Sequence, residues 1–296
     1  MSTLTITTIQ TNLHWEDKTA NLKMLEEKIM GIKEKTEIVV LPEMFNTGFT
    51  MQPEKLAETM EGETVSWMKR VAMERKVVLV GSVACAGGAT GLATRSGLTS
   101  SSPFTNRLLW MLPNGQYGYY DKRHLFAFAG EDKHYTAGNK RLIASVKGWK
   151  INLQVCYDLR FPVWARNRSF AAPDAVASTA AQDDKVIAGQ LATQPEYDVL
   201  IYVANWPERR SHAWKTLLQA RAIENQCYVV GVNRVGNDGN NIYHSGDSMI
   251  VDPLGEVLYT KKDEEDIHTI TIDKAQLDAV REKLPFLKDG DLFSIS

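Results

Sequence analysis

Short apolar runs of strand length alternate with longer stretches of helical spacing along the whole chain. The run 38–42 (Ile-Val-Val-Leu-Pro) is typical of a strand buried on both faces, whereas Leu22, Leu25 and Ile29 recur on one face of a helix. The pattern predicts helices at 16–33, 63–75, 211–225 and 274–283. It predicts strands at 4–10, 38–42, 77–84, 105–112, 115–121, 150–156, 199–205, 227–235 and 267–273, with a hairpin over 248–261. Interleaved strands and helices indicate a layered α/β fold.

Turn signals at 113–115 (Pro-Asn-Gly) and 252–255 (Asp-Pro-Leu-Gly) predict hairpins, so we expect mixed rather than purely parallel sheets. Neither a repeat nor a linker divides the core elements, and we expect a single domain over residues 1–296. Two segments of unusual composition are expected to be loops or insertions: 86–103, rich in Gly, Ser and Thr, and 171–196, rich in Ala.

The composition excludes several classes of protein. With 44% hydrophobic and 24% charged residues, the 296-residue chain is not disordered, collagenous or a coiled coil. A net charge of −2 gives no general attraction to nucleic acid or to an anionic membrane. There is no apolar run of about 20 residues, and the first residues do not resemble a signal peptide. Three widely spaced cysteines form neither a disulfide framework nor a zinc site, which favours the cytoplasm.

Three side chains capable of chemistry follow apolar strands: Glu43, Lys122 and Cys156. Taken singly, each has an ordinary explanation, since a cysteine is often a small buried hydrophobe and Glu or Lys is usually solvated. Cys156, however, is followed by Tyr-Asp-Leu-Arg-Phe-Pro, which indicates a sharp turn that exposes the sulfur and turns the next backbone N–H toward an oxyanion. The apolar neighbours of Glu43 suit a general base, and those of Lys122 suit a cation that stabilises developing negative charge.

Together these positions resemble a known family. The segments 41–49 (LPEMFNTGF), 121–126 (DKRHLF) and 154–162 (QVCYDLRFP) are similar, in this order, to the three catalytic signatures of the nitrilase (carbon–nitrogen hydrolase) superfamily. Blocks at 130–139, 221–226 and 244–256 agree, so the resemblance covers roughly residues 4–290. It implies a four-layer α-β-β-α sandwich with two central mixed sheets, and a homodimer. It implies no metal or organic cofactor.

The resemblance also implies an amidohydrolase mechanism through a cysteine thioester. In it, Cys156 is the nucleophile and Glu43 the general base, while Lys122 and the backbone N–H of Tyr157 stabilise the oxyanion. Glu131 matches an additional family glutamate, which positions either Lys122 or the substrate amide.

Within the superfamily, the chain resembles the amidase branches. Tyr157 and Asp158 replace the Trp-Glu pair of true nitrilases, and the segments 203–210 (VANWPERR) and 231–240 (GVNRVGNDGN) look like those of bacterial omega-amidases. Those enzymes hydrolyse the terminal amide of 2-oxo acids such as 2-oxoglutaramate and 2-oxosuccinamate. Such a substrate ends in a carboxylate, for which guanidinium groups are suitable partners. The candidate substrate-binding residues are Arg209, Arg210, Arg160 and Trp206.

Several alternatives stay open at this point. Arg160 equally suits a structural role in the turn after the nucleophile, and Trp206 equally suits plain packing. The enzyme is alternatively an amidase for another small carboxylated amide, for example deaminated glutathione. A catalytically silent scaffold dimer is a further alternative, although the joint presence of Glu43, Lys122, Glu131 and Cys156 argues against it. The partner expected in each enzymatic case is a small-molecule amide.

Overall fold

The computed structural model describes residues 2–87, 102–167, 195–291 and 293. In the first part of the chain, the sequence folds into one sheet and the helices that cover it. The elements are β1 (Thr3–Gln10), α1 (Lys18–Met30), β2 (Ile38–Val40), α2 (Pro53–Leu56), α3 (Glu63–Arg75), β3 (Val78–Ala86), β4 (Phe104–Met111) and β5 (Tyr117–Asp121).

The second part of the chain supplies the other sheet, the helices around it and one further strand of the first sheet. The elements are α4 (Glu131–His134), β6 (Ile143–Val146), β7 (Trp149–Val155), α5 (Pro162–Ala165), β8 (Val199–Ala204), α6 (Ser211–Asn225), β9 (Tyr228–Asn233), β10 (Val235–Asn237), β11 (Tyr243–Val251), β12 (Val257–Lys262), β13 (Asp266–Asp273) and α7 (Lys274–Lys283).

The two sheets are both mixed, as the hairpin signals predict. The first has the order β13-β1-β2-β3-β4-β5, in which β1, β2 and β3 are parallel and the other pairs antiparallel. The second has the order β10-β11-β9-β8-β7-β6, with β12 paired to β11, and its strands β7, β8 and β9 are parallel. The last strand, β13, pairs with β1 and so joins the end of the chain to its beginning.

The alternation of side chains along each strand produces four layers. In β2, Ile38 and Val40 enter the apolar core between the sheets, while Val39 packs with α1 and α3 on the outer face. In β8, Ile201 faces the other sheet and Leu200 packs beneath α6. The architecture is therefore helix, sheet, sheet, helix, and the predicted α-β-β-α sandwich is confirmed. Each fully buried aliphatic side chain in these cores stabilises the fold by about 1.5–3 kcal/mol.

Most predicted elements are present, and the differences have physical causes. The helix predicted over 16–33 is shorter because Asp17 caps its start by accepting the Ala20 N–H, at 3.0 Å, and Gly31 ends it. The strand predicted over 227–235 is interrupted at Arg234, so that β9 and β10 are separate. Strand β6 was not expected because its four residues carry no clear alternation.

The two expected insertions lie largely outside the described residues. Of the segment 86–103 only 86, 87, 102 and 103 are described, and of the segment 171–196 only 195 and 196. The single-domain prediction stays a prediction. In the described ranges, there is no helix of the length and apolarity needed to cross a membrane.

Candidate active site

Four chain segments bring polar side chains to one edge of the paired sheets. Glu43 follows β2, Lys122 follows β5, Cys156 follows β7, and Asn205 follows β8. Strand β3 is parallel to β2, and β4 is antiparallel to both β3 and β5. Strand β5 therefore runs in the same direction as β2, and the two strands end at the same edge of the sheet. The Asn205 backbone N–H donates to Glu43 Oε2 at 2.8 Å, which joins the ends of the two sheets. The predicted positions therefore converge at the carboxyl ends of parallel strands, where α/β folds place their sites.

Lys122 lies between two carboxylates in the protein interior. Its Nζ donates to Glu43 Oε1 at 2.9 Å and to both carboxylate oxygens of Glu131 at 3.0 and 2.9 Å, and all three side chains are fully buried. Burial alone would lower the pKa of the Lys122 ammonium, but the charges of Glu131 and Glu43 outweigh it and raise this pKa. The two carboxylates therefore stabilise the charged form of Lys122.

Glu131 begins α4, and its carboxylate is held from two sides. Besides Lys122, the Phe126 backbone N–H donates to Glu131 Oε2 at 2.6 Å. Burial raises the pKa of Glu131, and the Lys122 charge partly opposes this rise. In this geometry Glu131 orients the ammonium of Lys122, the first of the two roles considered for it.

The surroundings of Glu43 differ from the expected apolar pocket. Its carboxylate accepts hydrogen bonds from Lys122, from Asn205 N–H and from Asn106 Nδ2, the last at 2.8 Å. The Asn205 side chain also donates to the Glu43 main-chain oxygen, at 2.5 Å. The apolar residues beside Glu43 in the sequence, Met44 and Phe45, instead pack in the hydrophobic clusters. The expectation was wrong because sequence neighbours point to different layers.

Cys156 occupies a strained turn at the end of β7. Its φ of 43° lies in the left-handed region, which non-glycine residues rarely adopt. Residues Cys156–Arg160 form a 3-10 turn, and Cys156 keeps partial solvent exposure. A left-handed residue between a buried strand and a helical turn presents its side chain above the sheet, as expected of a nucleophile elbow.

The buried carboxylate of Asp158 holds this turn in place. It accepts the Val155 N–H at 3.1 Å, the Tyr120 hydroxyl at 2.8 Å and the His124 backbone N–H at 2.9 Å, while His124 Nδ1 lies 2.8 Å from Asp158 Oδ1. These partners lie on β7, on β5 and on the segment directly after β5. Asp158 thus fixes the Cys156 turn relative to the strand that carries Lys122.

The electrostatics of Cys156 favour a neutral thiol at rest. Burial raises the pKa of the Cys156 thiol well above its usual range. The negative charges of Glu43 and Glu131 add to the rise, and the Lys122 charge opposes it. A neutral thiol is a weak nucleophile, so this site needs a base at the moment of attack. Of the two buried carboxylates, Glu43 acts more strongly on this thiol than Glu131 does.

Tyr157 follows the cysteine within the first turn of the 3-10 segment. Backbone N–H groups in a first helical turn have no partner within the helix, so the Tyr157 N–H is suited to face an oxyanion beside the sulfur. The Tyr157 ring packs edge-on against Phe126, with centroids 5.0 Å apart, and against Phe161, at 5.2 Å. The rings hold this part of the backbone in position.

Three arginines lie in the turns that follow β7 and β8. Arg160 ends the cysteine turn, and Arg209 and Arg210 lie in the turn Glu208–Arg210 before α6. Partial burial lowers the pKa of Arg210, and the neighbouring charges of Arg209 and Arg160 lower it further, while the negative charge of a Cys156 thiolate acts in the opposite direction. Within the described ranges, none of the three forms an ion pair with a carboxylate. The structure therefore gathers positive charge beside Cys156.

The arginines rest on aromatic rings. The Arg210 guanidinium lies 5.0 Å from the Phe126 ring centroid, and that of Arg160 lies 5.0 Å from the Trp206 centroid. Trp206 itself is buried. Its indole N–H donates to the Arg210 carbonyl at 2.8 Å, and its ring packs 5.4 Å from Trp214. Packing thus accounts for Trp206, and its role as a pocket wall stays a prediction.

Sequence reasoning missed three polar residues of the site: Asn106, Asn205 and Asp158. Asn205 and Asp158 lie just after strands, inside segments that the sequence analysis had singled out. Their position at a strand end was the signal that could have identified them as site residues. Asn106 carried none, because it lies within β4, 63 residues from the Glu43 carboxylate that it contacts. Among the described residues, His, Cys, Asp and Glu form no cluster suited to a metal ion.

Comparison with known proteins agrees with this geometry. The carbon-nitrogen hydrolase family matches residues 5–282. Omega-amidase YafV of Escherichia coli K12 is 40% identical over 300 residues, with 100% of both chains covered. The 2-oxoglutaramate amidase of Bacillus subtilis 168 is 30% identical over 288 residues, with 96% of each covered.

A solved structure is similar over the same extent. XC1258 from Xanthomonas campestris is a CN-hydrolase superfamily protein with an arsenic adduct in its active site. It is 39% identical, with a TM-score of 0.84 and 100% of both chains covered. The resemblance inferred from the sequence motifs and the enzyme class that it implied are confirmed. The chain belongs to the carbon-nitrogen hydrolase family.

Proposed function

We propose that this enzyme is an omega-amidase that hydrolyses the terminal amide of 2-oxo dicarboxylic acid monoamides, such as 2-oxoglutaramate and 2-oxosuccinamate, through a thioester on Cys156. The observation that carries the proposal is a buried Glu43–Lys122–Glu131 network beside a strained cysteine, next to three arginines without carboxylate partners in the described ranges. The names of the relatives, omega-amidase and 2-oxoglutaramate amidase, support the same substrate class.

The first half of the reaction forms the thioester. Glu43 accepts the proton of the Cys156 thiol, and the sulfur attacks the amide carbon to give a tetrahedral oxyanion. The Lys122 ammonium and the Tyr157 N–H stabilise this oxyanion, and each such donor typically contributes about 2.7–4 kcal/mol to lowering the barrier. Protonated Glu43 gives its proton to the leaving nitrogen, the carbon–nitrogen bond breaks, and ammonia departs.

The second half returns the enzyme to its resting form. A water molecule takes the place of ammonia, and Glu43 accepts its proton as the water oxygen attacks the thioester carbonyl. The same donors stabilise the second oxyanion. The carbon–sulfur bond then breaks, the sulfur regains the proton from Glu43, and the 2-oxo acid leaves.

Recognition of the substrate is assigned to the arginines. A 2-oxo dicarboxylic acid monoamide carries its carboxylate at the end opposite to the amide, and a guanidinium binds a carboxylate bidentately. Arg210 is the best placed of the three, because it is partly buried and its charge interacts with that of Cys156. Its contact with Phe126 fixes the guanidinium plane.

A pair of substrates tests the proposal. 4-Oxopentanamide has the length of 2-oxoglutaramate but carries a methyl group where that substrate has its carboxylate. We expect kcat/KM to be about 10- to 100-fold higher for 2-oxoglutaramate, the range for a hydrogen-bonded charged group, and Arg210→Ala to remove most of this preference. Arg209→Ala, on the more exposed neighbour, is the matched control and should change it less.

The same experiment separates the alternatives. An enzyme that hydrolyses a different carboxylated amide faster than 2-oxoglutaramate is another amidase of this family. A protein that releases no ammonia from any small amide, although it is folded, is a scaffold. Equal kcat/KM for 2-oxoglutaramate and 4-oxopentanamide would contradict the role of the arginines.

A further inference from the structure

Asn106 contacts both carboxylates of the buried network, although it belongs to none of the three catalytic signatures. Its Nδ2 donates to Glu43 Oε1 at 2.8 Å and to Glu131 Oε1 at 3.1 Å. It is fully buried and lies on the same face of β4 as Leu108 and Trp110, which belong to the core between the sheets. A strand of a packed sheet thus holds its amide rigidly.

The two hydrogen bonds duplicate those of Lys122. Lys122 Nζ donates to the same two oxygens, Glu43 Oε1 at 2.9 Å and Glu131 Oε1 at 3.0 Å. Each of these oxygens therefore accepts one charged and one neutral donor. The other oxygen of Glu43 accepts the Asn205 N–H, so three separate parts of the chain fix the carboxylate plane.

The carbonyl oxygen of the Asn106 amide is unfavourable for folding stability. Asn106 Oδ1 is buried and has no hydrogen-bond partner in the described part of the chain. A buried acceptor without a partner destabilises the fold, whereas leucine of similar size would not. The amide at this position is therefore explained by its two donated hydrogen bonds.

We propose that Asn106 is a positioning residue that orients the Glu43 carboxylate and partly compensates its negative charge beside the Cys156 thiol. A donor to the ionised form of a carboxylate stabilises that form. Being neutral, the amide does so without adding a second positive charge. The network then keeps two carboxylates for one ammonium, and Glu43 can still accept a proton.

The titratable groups near Asn106 lie on two faces of the sheet. Arg107 and Asp121 pair with each other on the face of β4 and β5 that points away from the network. The groups on the Asn106 side are Glu43 after β2, Lys122 after β5, Glu131 and Tyr135 on and after α4, and Cys156 after β7. Loss of the Asn106 donor should leave more of the Glu43 negative charge uncompensated beside the Cys156 thiol and so raise the pH at which this thiol ionises, and a third carboxylate at position 106 should raise it further.

The test uses Asn106→Leu, which removes the donors, and Asn106→Asp, which keeps the size but adds an acceptor. Asn152→Leu is the matched control, because Asn152 is also a fully buried strand asparagine and its amide has no hydrogen-bond partner among the described residues. Circular dichroism and thermal unfolding establish that each variant is folded. The Asp variant decides alone if the Leu variant does not fold.

The decisive readout needs no substrate and so does not depend on the proposed substrate class, although the inference rests on the proposed role of Glu43 as base. The rate of Cys156 alkylation by iodoacetamide is measured against pH, with peptide mass spectrometry to distinguish Cys156 from buried Cys85 and Cys227. We expect the midpoint of this profile to rise in Asn106→Leu, to rise further in Asn106→Asp, and to stay unchanged in Asn152→Leu.

Turnover gives the second readout. On 2-oxoglutaramate, kcat should fall about 10- to 100-fold in both Asn106 variants, with a much smaller change in KM. Wild-type alkylation midpoints in the folded Asn106 variants would overturn the inference. Absence of wild-type turnover on 2-oxoglutaramate would instead refute the proposed function, and the alkylation profile would still decide the role of Asn106.

Discussion

At the scale of single residues, the charge of Lys122 is the feature most tightly fixed by its surroundings. Two carboxylates hold the ammonium in the interior and raise its pKa against the effect of burial. Such a group stabilises an oxyanion at no cost of reorganisation when negative charge develops. Breaking a buried ion pair also destabilises the fold, so Lys122 variants are compared only where circular dichroism shows that they are folded.

Lys122 variants should therefore lose turnover more than binding. Lys122→Met and Lys122→Gln remove the charge, and both should lower kcat by about 10²–10³-fold. Lys122→Arg keeps the charge in a different shape and should recover part of the loss. Steady-state kinetics on 2-oxosuccinamate measure both parameters. A large rise in KM with unchanged kcat would make Lys122 a substrate-binding residue and leave the oxyanion to the Tyr157 N–H.

The sequence indicates some of these residues and not others for a clear reason. Glu43, Lys122 and Cys156 each follow a strand and lie in a recognisable motif. Asn106 lies inside an apolar strand, where a single polar residue has many explanations. Its role depends on contacts with Glu43 and Glu131, which are 63 and 25 positions away and meet it only after the sheets have packed.

At the scale of elements, the turn Cys156–Arg160 depends on one buried carboxylate. Asp158 accepts hydrogen bonds from the end of β7 and from the segment after β5, and Tyr120, one of its donors, is also bonded by the Trp164 indole N–H, at 2.9 Å. Strain at Cys156 persists only because its surroundings hold the backbone there.

Asp158→Asn should consequently lower both activity and stability. The amide keeps the size but accepts fewer hydrogen bonds, and we expect kcat to fall about tenfold or more together with a lower Tm. Asp198→Asn is the matched control. Asp198 is also buried and accepts hydrogen bonds from Lys150 N–H and Arg281, but it lies before β8, at the end of that strand away from the active site. The control should lower Tm only. Wild-type kcat in a folded Asp158→Asn protein would show that the turn does not need this carboxylate.

His244 lies on β11, where it pairs with Gly236 of β10 and is buried. The burial of this histidine should make the free energy of unfolding depend on pH. Burial lowers the pKa of His244 to about 4, and the nearby Arg234 charge contributes. Below about pH 6.5 the unfolded chain binds a proton on this histidine that the folded protein does not accept until about pH 4. Stability is thus lost as pH falls through this window, by roughly 3 kcal/mol in total.

Urea unfolding at several pH values between 4 and 7 measures this effect. His244→Asn keeps a donor near the Ile242 carbonyl, which lies 2.9 Å from His244 Nδ1, but has no proton to gain. Its free energy of unfolding should therefore fall less steeply toward pH 4 than that of the wild type. Parallel pH profiles for the two proteins would be evidence against a buried neutral His244.

Most elements could be predicted from sequence, but their arrangement could not. Helices α3, α6 and α7 begin and end at the predicted residues, and apolar residues at helical spacing mark α3 and α6 in the sequence. Strands β6 and β10, of four and three residues, are too short to show alternation. The strand order within each sheet depends on contacts between distant segments, which no local pattern contains.

At the scale of the whole molecule, only the family resemblance predicts the four-layer sandwich. Periodicity in the sequence indicates strands and helices that pack in layers, but it does not indicate the number of layers. The resemblance also predicts a homodimer that forms through an outer helix layer. Helix α6 exposes Ile223, 54% accessible, and α3 exposes Met73, 58% accessible. Homodimerisation and the cytoplasmic location stay predictions.

Light scattering tests the assembly. We expect a mass of about 66 kDa, twice the 33.2 kDa of one chain, at micromolar concentration. Ile223→Glu and Met73→Glu place a charge on the two outer layers in turn, and the variant that dissociates the assembly identifies the layer involved. A wild-type mass near that of one chain would refute the dimer.

The central claim is that Cys156 carries out amide hydrolysis on a 2-oxo acid amide. It is tested most directly by ammonia release from 2-oxoglutaramate, measured for the wild type, Cys156→Ala and Cys156→Ser at equal concentrations of folded protein. We expect steady turnover by the wild type and none above background by either variant, with unchanged circular dichroism. Ammonia release by Cys156→Ala at a rate near that of the wild type would contradict it.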